Sequence, residues 1–259
     1  MTTLASAPLL EVVLELHWGK VSVDPTGGQS IQFSSDDQEL FYGQFTGVAR
    51  KRGFLNTERV LPPGVVAPHV ALYRLRKSPN TFPALQIGLG MLSVNEGGAG
   101  YEWEQYRAAC LNGLEILSEG HPSGLEALPP LRAVLKYRDA FPLHGRPGVA
   151  FIKDNLNISI SVPKDLSEGE LFAGEIDGCA VRFSRKLTDP VGVLSVGVQE
   201  ALLNGSASVI MDTDVISDDS TFGGTFTIDK VLTWLDRAHE VQRLAFRSLI
   251  KPTFLKSME

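Results

Sequence analysis

From Leu10 to Trp18 the chain alternates between two sides. Leu10, Val12, Leu14, Leu16 and Trp18 share one, and Glu11, Val13, Glu15 and His17 share the other. A period of two predicts a half-buried strand with one apolar and one largely polar face. A turn-rich stretch with Pro25, Gly27 and Gly28 follows. Ser35 with Gln38 three residues on then reads as a capping box for a helix reaching about Val48, with Leu40, Phe41, Phe45 and Val48 at helical spacing. After a loop with Pro62, Pro63 and Gly64, the segments His69–Arg76 and Ala84–Asn95 read as strands joined by a turn at Ser78, Pro79 and Asn80. The Gly97–Gly100 loop opens a helix whose apolar stripe is Trp103, Tyr106, Cys110, Leu114 and Leu117, ended by Gly120 and Pro122.

Leu131–Asp139 is the fourth strand of this half. Arg132, Lys136 and Arg138 lie on one face, with Leu131, Ala133, Leu135 and Tyr137 on the other. Its basic face and the acidic face of the first strand are expected to be neighbours in one sheet, where opposite charges attract across the strands. The resulting order, β-α-β-β-α-β, matches the split arrangement of ferredoxin-like folds.

Gly and Pro accumulate between His144 and Gly148, which suggests a division into an N-terminal half, 1–145, and a strand-rich C-terminal half, 146–259. The second half offers strands at Asn155–Val162, Ala180–Leu187, Val191–Gln199 and Ala207–Val215. A long helix is expected from about Ile228 to Ile250, with Thr227 as N-cap, Asp229 in the first turn and Pro252 as the stop. Each half places a hairpin before a glycine-containing loop and a helix bearing one tryptophan, Trp103 or Trp234, a pattern that suggests a distant internal duplication. The fold class expected is α+β, with mainly antiparallel sheets and packed helices.

Composition changes this picture little. The chain has 259 residues, 43% hydrophobic and 21% charged, enough to bury a core without staples. A net charge of −6 opposes attraction of the whole molecule to nucleic acid or anionic lipid and leaves only local basic patches for that role. Cys110 and Cys179 show no CxxC spacing and read as reduced core thiols. The start, MTTLASAPLL, has no basic region ahead of its apolar stretch, and no uncharged apolar run reaches the ~18 residues of a membrane span. The expectation is a cytoplasmic protein without a membrane partner.

Candidate chemistry is sparse. Asp212 and Asp214, at i and i+2 on a strand with Asp218 and Asp219 beyond, are the best candidates for a divalent metal, since two carboxylates on one strand face suit Mg²⁺ or Mn²⁺. The plainer reading is a solvated strand face running into an acidic turn. His239 and Glu240 in the last helix are candidate catalytic groups if that helix folds back over the acidic strand. Glu15 with His17 supplies too few ligands for a metal. The Gly97–Gly100 loop is flanked by Glu96 and Glu102, lacks a following Lys-Ser or Lys-Thr, and reads as a connector rather than a phosphate cradle. Ser195 in Gly192–Gly197 lacks nucleophile-elbow spacing. Arg50, Lys51 and Arg52 read as a basic helix end. Arg132, Lys136 and Arg138 on one strand, with Arg182 and Lys186 on another, are the candidate nucleic-acid contacts.

Three stretches together resemble a sporadically distributed family of uncharacterised prokaryotic proteins. They are Pro8–Leu16; Leu85–Asn95 followed by Tyr101 and Trp103; and Met211–Val215 followed by His239, Glu240 and Phe246. The resemblance implies a cytoplasmic protein of this length whose patchy occurrence suits mobile or defence-related gene neighbourhoods. It names no catalytic residue. The family's Arg-Tyr pattern in the fourth strand stands here as Lys136-Tyr137-Arg138-Asp139, a departure from it.

The chain shows no complete nucleophile, cofactor or metal constellation. The expected function is therefore non-catalytic binding or assembly with a protein partner or a second copy, in a prokaryotic defence or toxin-neutralising setting, with no cofactor. The rival readings are a metal-dependent enzyme acting on nucleotide or nucleic acid through Asp212 and Asp214, and a nucleic-acid binder using the basic strand faces.

Overall fold

Ten residues of alternating polarity, Leu9–Trp18, form β1, and this strand lies at the centre of the molecule. The computed structural model describes residues 7–24, 26–34, 40–161, 163, 176 and 178–258. The Ser35–Gln38 capping box lies outside the described residues.

After β1 come a small hairpin, β2 (Lys20–Val23) and β3 (Gln29–Gln32), then helix α1 (Phe41–Lys51) and strands β4 (Asn56–Arg59), β5 (Tyr73–Arg76), β6 (Ala84–Gly88) and β7 (Met91–Gly97). Helix α2 (Trp103–Gly120) and strand β8 (Pro130–Pro142) complete the first half. The remainder is α3 (Gly148–Asn155), β9 (Ala180–Thr188), β10 (Val191–Leu203), β11 (Ser206–Ser217), α4 (Ile228–Leu249) and α5 (Pro252–Met258). The protein is thus α+β, and nine strands form one antiparallel sheet in the order β4-β5-β6-β7-β1-β8-β11-β10-β9. β8 precedes the Gly- and Pro-rich stretch at 144–148 and pairs with β11 beyond it, so the sheet runs through both halves of the chain.

One face of the sheet is apolar. Val12, Leu14, Leu16 and Trp18 of β1 meet Leu92 and Val94 of β7, Leu135 of β8 and Val215 of β11 in a cluster with buried residues of α1, α2 and α4. A second cluster toward the far end joins Phe141, Val196, Val198, Val209 and Met211 to Phe151 and Ile152 of α3 and Met258 of α5. The five helices among the described residues therefore bury their apolar residues against the same face. α1 and α2 close tightly because residue 120 has no side chain; a Cβ there would stand 2.7 Å from the Phe45 Cα. Gly98 serves the same purpose after β7, where a Cβ would meet the Leu9 carbonyl oxygen at 1.6 Å. Thr227 caps α4, its Oγ1 accepting from the Lys230 amide at 3.2 Å.

Four expectations are corrected. Ala84–Asn95 is not one strand: the chain reverses at Leu89 and Gly90, and β6 pairs with β7. The described residues of the expected strand Asn155–Val162 form none: Asn155 ends α3, which turns Phe151 and Ile152 into the second cluster, and Leu156 makes only an isolated bridge to Ile250. Only Tyr73–Arg76 of the His69–Arg76 segment is strand, and His69 itself takes a positive φ of 57°. Of the two thiols expected in the core, Cys110 is buried in α2 and Cys179 is half-exposed just before β9.

Candidate functional site

Strand alternation sends every second residue of the sheet to the face the helices leave bare, and register sorts these residues into rows. Glu11, Arg138, Asp212, Gly197 and Arg182 align across β1, β8, β11, β10 and β9. In the next row Asn95, Val13, Lys136, Asp214, Ser195 and Ser184 align from β7 to β9. Lys186 lies one pair further along β9, opposite Val193, and Arg132 lies opposite His17. Arg132, Lys136 and Arg138 of β8, Arg182 and Lys186 of β9 and the acidic pair of β11 thus share one surface, which the separate sequence motifs did not show.

The surface is wired by polar contacts. Lys136 Nζ donates to Glu15 Oε1 at 2.8 Å, and the His17 ring lies 3.0 Å from Glu15 Oε2. Burial alone would raise the Glu15 pKa, yet the bonds from His17 and Lys136 outweigh it and hold the carboxyl down at about 2. Lys136 of β8 and Glu15 of β1 thus bring together the basic and acidic strand faces expected to be neighbours, and Arg138 Nε donates to Asp212 Oδ1 of β11 at 2.7 Å. Toward β7, Gln86 Nε2 and Ser93 Oγ both donate to Asn95 Oδ1, at 2.9 and 2.7 Å, and Asn95 Nδ2 donates to Glu11 Oε1 at 2.9 Å. A depression of about 490 Å³ lies over Glu15, Asn95, Lys136, Arg138, Asp212 and Asp214. Sequence reasoning missed Gln86, Ser93 and Asn95, although Ser93 and Asn95 already stand at period two in Met91-Leu92-Ser93-Val94-Asn95.

The expected meeting of the acidic pair with the last helix does not occur. Asp212 and Asp214 point to the bare face and flank Thr213, which is fully buried on the other. α4 packs on the Thr213 side, so the sheet stands between His239 and the two carboxylates. Asp212 is occupied by Arg138. Burial raises the Asp214 pKa; Lys136 opposes that shift and Asp212 adds to it. Among the described residues no cluster of three or more His, Cys, Asp or Glu has the arrangement of a metal site. Glu240 is exposed and bonded to Arg237 at 2.6 Å. Ser195 lies within β10 opposite Asp214, with no histidine beside it in the sheet register.

His239 has a different set of partners. Its Nδ1 lies 2.9 Å from the Tyr137 hydroxyl, which lies 2.6 Å from the Tyr101 hydroxyl. The Trp103 ring stacks on the imidazole at 3.8 Å and 6°. Burial lowers the His239 pKa to about 4, Arg243 lowers it further and Asp236 opposes. This neutral, stacked histidine ties α4 to the start of α2 and to β8. Nearby on β8, Asp139 is buried, its Oδ2 has no hydrogen-bond partner, and burial with a contribution from Asp212 raises its pKa to about 7. At the far end of α1, Arg52 donates to Glu115 at 2.5 Å and to Glu119, so this member of the basic run holds α1 to α2.

No protein-family model and no curated protein matches this chain. No helix among the described residues is long and apolar enough to cross a membrane.

Proposed function

We propose that this is a non-catalytic binding or assembly protein that engages a protein partner through the bare face of its sheet, centred on β1, β8 and β11. The observation that supports the reading is the matching of charge across that face: Lys136 with Glu15 and Arg138 with Asp212 leave a polar surface of both signs rather than a single-sign field. A surface of interleaved charges suits recognition of a complementary mixed-charge protein surface. It suits a polyanion less well. The rows named above contain no phenylalanine, tyrosine or tryptophan on which bases would stack, and two of the candidate basic residues already have carboxylate partners. The cytoplasmic, defence-related setting is the one the family resemblance implies, and toxin neutralisation is one task such a binding protein would perform there.

A reading of the N-terminal half as ferredoxin-like belongs to the same proposal. The order β6-β7-β1-β8, with α1 and α2 on one face, supports it, and β9, β10 and β11 with α4 then extend the same sheet. The repeat of a hairpin followed by a tryptophan-bearing helix supports an internal duplication.

The test is affinity capture of the full chain from its own cells, with mass spectrometry and nucleic-acid recovery on one eluate, repeated with Lys136→Glu/Arg138→Glu. A stoichiometric protein that cross-links to β1, β8 or β11 and is lost from the variant is the expected result. Recovery of nucleic acid in its place, released by salt, would favour the basic-face alternative. Binding of Mg²⁺ or Mn²⁺ that disappears in Asp212→Asn/Asp214→Asn would favour the metal-dependent alternative.

A further inference from the structure

β9 ends the sheet. It pairs with β10 on one side, and among the described residues no strand pairs with it on the other. Its nine residues, AVRFSRKLT, are all exposed or half-buried, and among the described residues no backbone hydrogen bond beyond the β10 ladder reaches its N–H and C=O groups. Arg182, Arg185 and Lys186 give this strand three cations and no acid, on a chain whose net charge is −6. The opposite edge, β4, is four residues long and carries Glu58 beside Arg59. The long edge therefore has both a free hydrogen-bonding register and a uniform sign.

We propose, building on the protein-partner reading above, that β9 receives an extended acidic segment of the partner as an additional strand. An added strand satisfies the open backbone groups, and its side chains fall alternately on the two faces of the sheet. On the bare face its carboxylates meet Arg182 and Lys186, with Ser184 between them. On the other face they meet Arg185 beside Phe183, which is 41% exposed. Arg182 also continues the row Glu11, Arg138, Asp212, so a strand seated on β9 extends the same surface. A second copy is the wrong occupant. Two β9 edges laid antiparallel would bring six cations together, and like charges across strands destabilise a pair.

The experiment uses the full chain and two fluorescent peptides of equal charge, one alternating Glu with Val and Thr, the other the same residues interrupted by proline. The alternating peptide is expected to bind and to protect the amides of Ala180–Thr188 from hydrogen exchange. Arg182→Glu/Lys186→Glu is expected to weaken it by about tenfold or more with an unchanged melting temperature, because both side chains are exposed. Equal binding of the proline-interrupted peptide, protection located away from β9, or no binding of either peptide would overturn the inference. Partner capture separates this from the broader reading. A partner retained by the β9 variant but lost from Lys136→Glu/Arg138→Glu overturns strand addition alone, and a partner indifferent to both variants overturns the two together.

Discussion

The Tyr137 hydroxyl stands 2.9 Å from Nδ1 of His239, joining strand β8 to the long helix α4 on the apolar face of the sheet. The neutral imidazole is favoured there, because burial and Arg243 both disfavour its cation while Asp236 opposes them only in part. The folded pKa, about 4, lies below the 6.5 of a free histidine, so the unfolded chain binds the proton first as pH falls. The stability from this site is complete above pH 6.5 and is lost as pH falls toward 4, with a slope of at most about 1.4 kcal/mol per pH unit for this half-exposed ring. Urea melts from pH 7 to 4 on wild type and His239→Gln test it, and the variant is expected to show the shallower acid-side loss.

Asp139 acts in the opposite sense. Its folded pKa of about 7 lies above the ordinary 3.8, so its contribution is complete below pH 3.8 and is lost as pH rises through 7. Asp139→Asn removes the ionisation that the site opposes. The variant is expected to be more stable than wild type at pH 8, by about 1–3 kcal/mol, and to lose that advantage at pH 4. Equal stability at both pH values would exclude the buried carboxyl as the cause.

The contact between α1 and α2 depends on the missing side chain at residue 120. Gly120→Ala places a methyl against the Phe45 backbone, which cannot rotate away, and is expected to lower stability by about 1–3 kcal/mol. Gly43→Ala in α1, where an added Cβ meets nothing within 4 Å, is the matched control and is expected to be neutral or stabilising.

Lys136 holds the Glu15 carboxylate on the bare face. Replacing it with Met removes one of the two hydrogen bonds that keep the Glu15 pKa near 2, and a carboxyl-detected NMR titration is expected to show that pKa rising. His17→Phe is expected to move it in the same direction through the second bond. No movement in either variant would mean that Glu15 is held by other groups.

The elements that pack against the core were legible because core packing writes a period into the chain. The alternation of β1, the stripe Tyr106, Cys110, Leu114 and Leu117 in α2, and the capped amphipathic α4 were all readable in this way. The short hairpin of β2 and β3 was not, since Val21, Val23 and Ile31 are exposed and follow no burial pattern. The helix α3 was missed because its eight residues complete little more than two turns, and its apolar Phe151 and Ile152 are adjacent, which suits a strand as well as a helix.

The sequence by itself determined that the chain is α+β, that β1 and β8 carry opposite charge on one face, and that Thr227 begins the long helix α4. Local spacing and capping chemistry decide those features within a few residues. Tertiary structure alone decided that Asp212 and Asp214 share a surface with Arg138 and Lys136, and that His239 meets Tyr137 instead of either aspartate. Which strands become neighbours, and on which side of the sheet a helix lies, depend on contacts between residues up to a hundred or more positions apart in the chain, such as Tyr137 with His239 and Lys136 with Glu15. A pattern of period two fixes that a strand has two faces; only the pairing of the strands and the packing of the helices fixes which face is left bare.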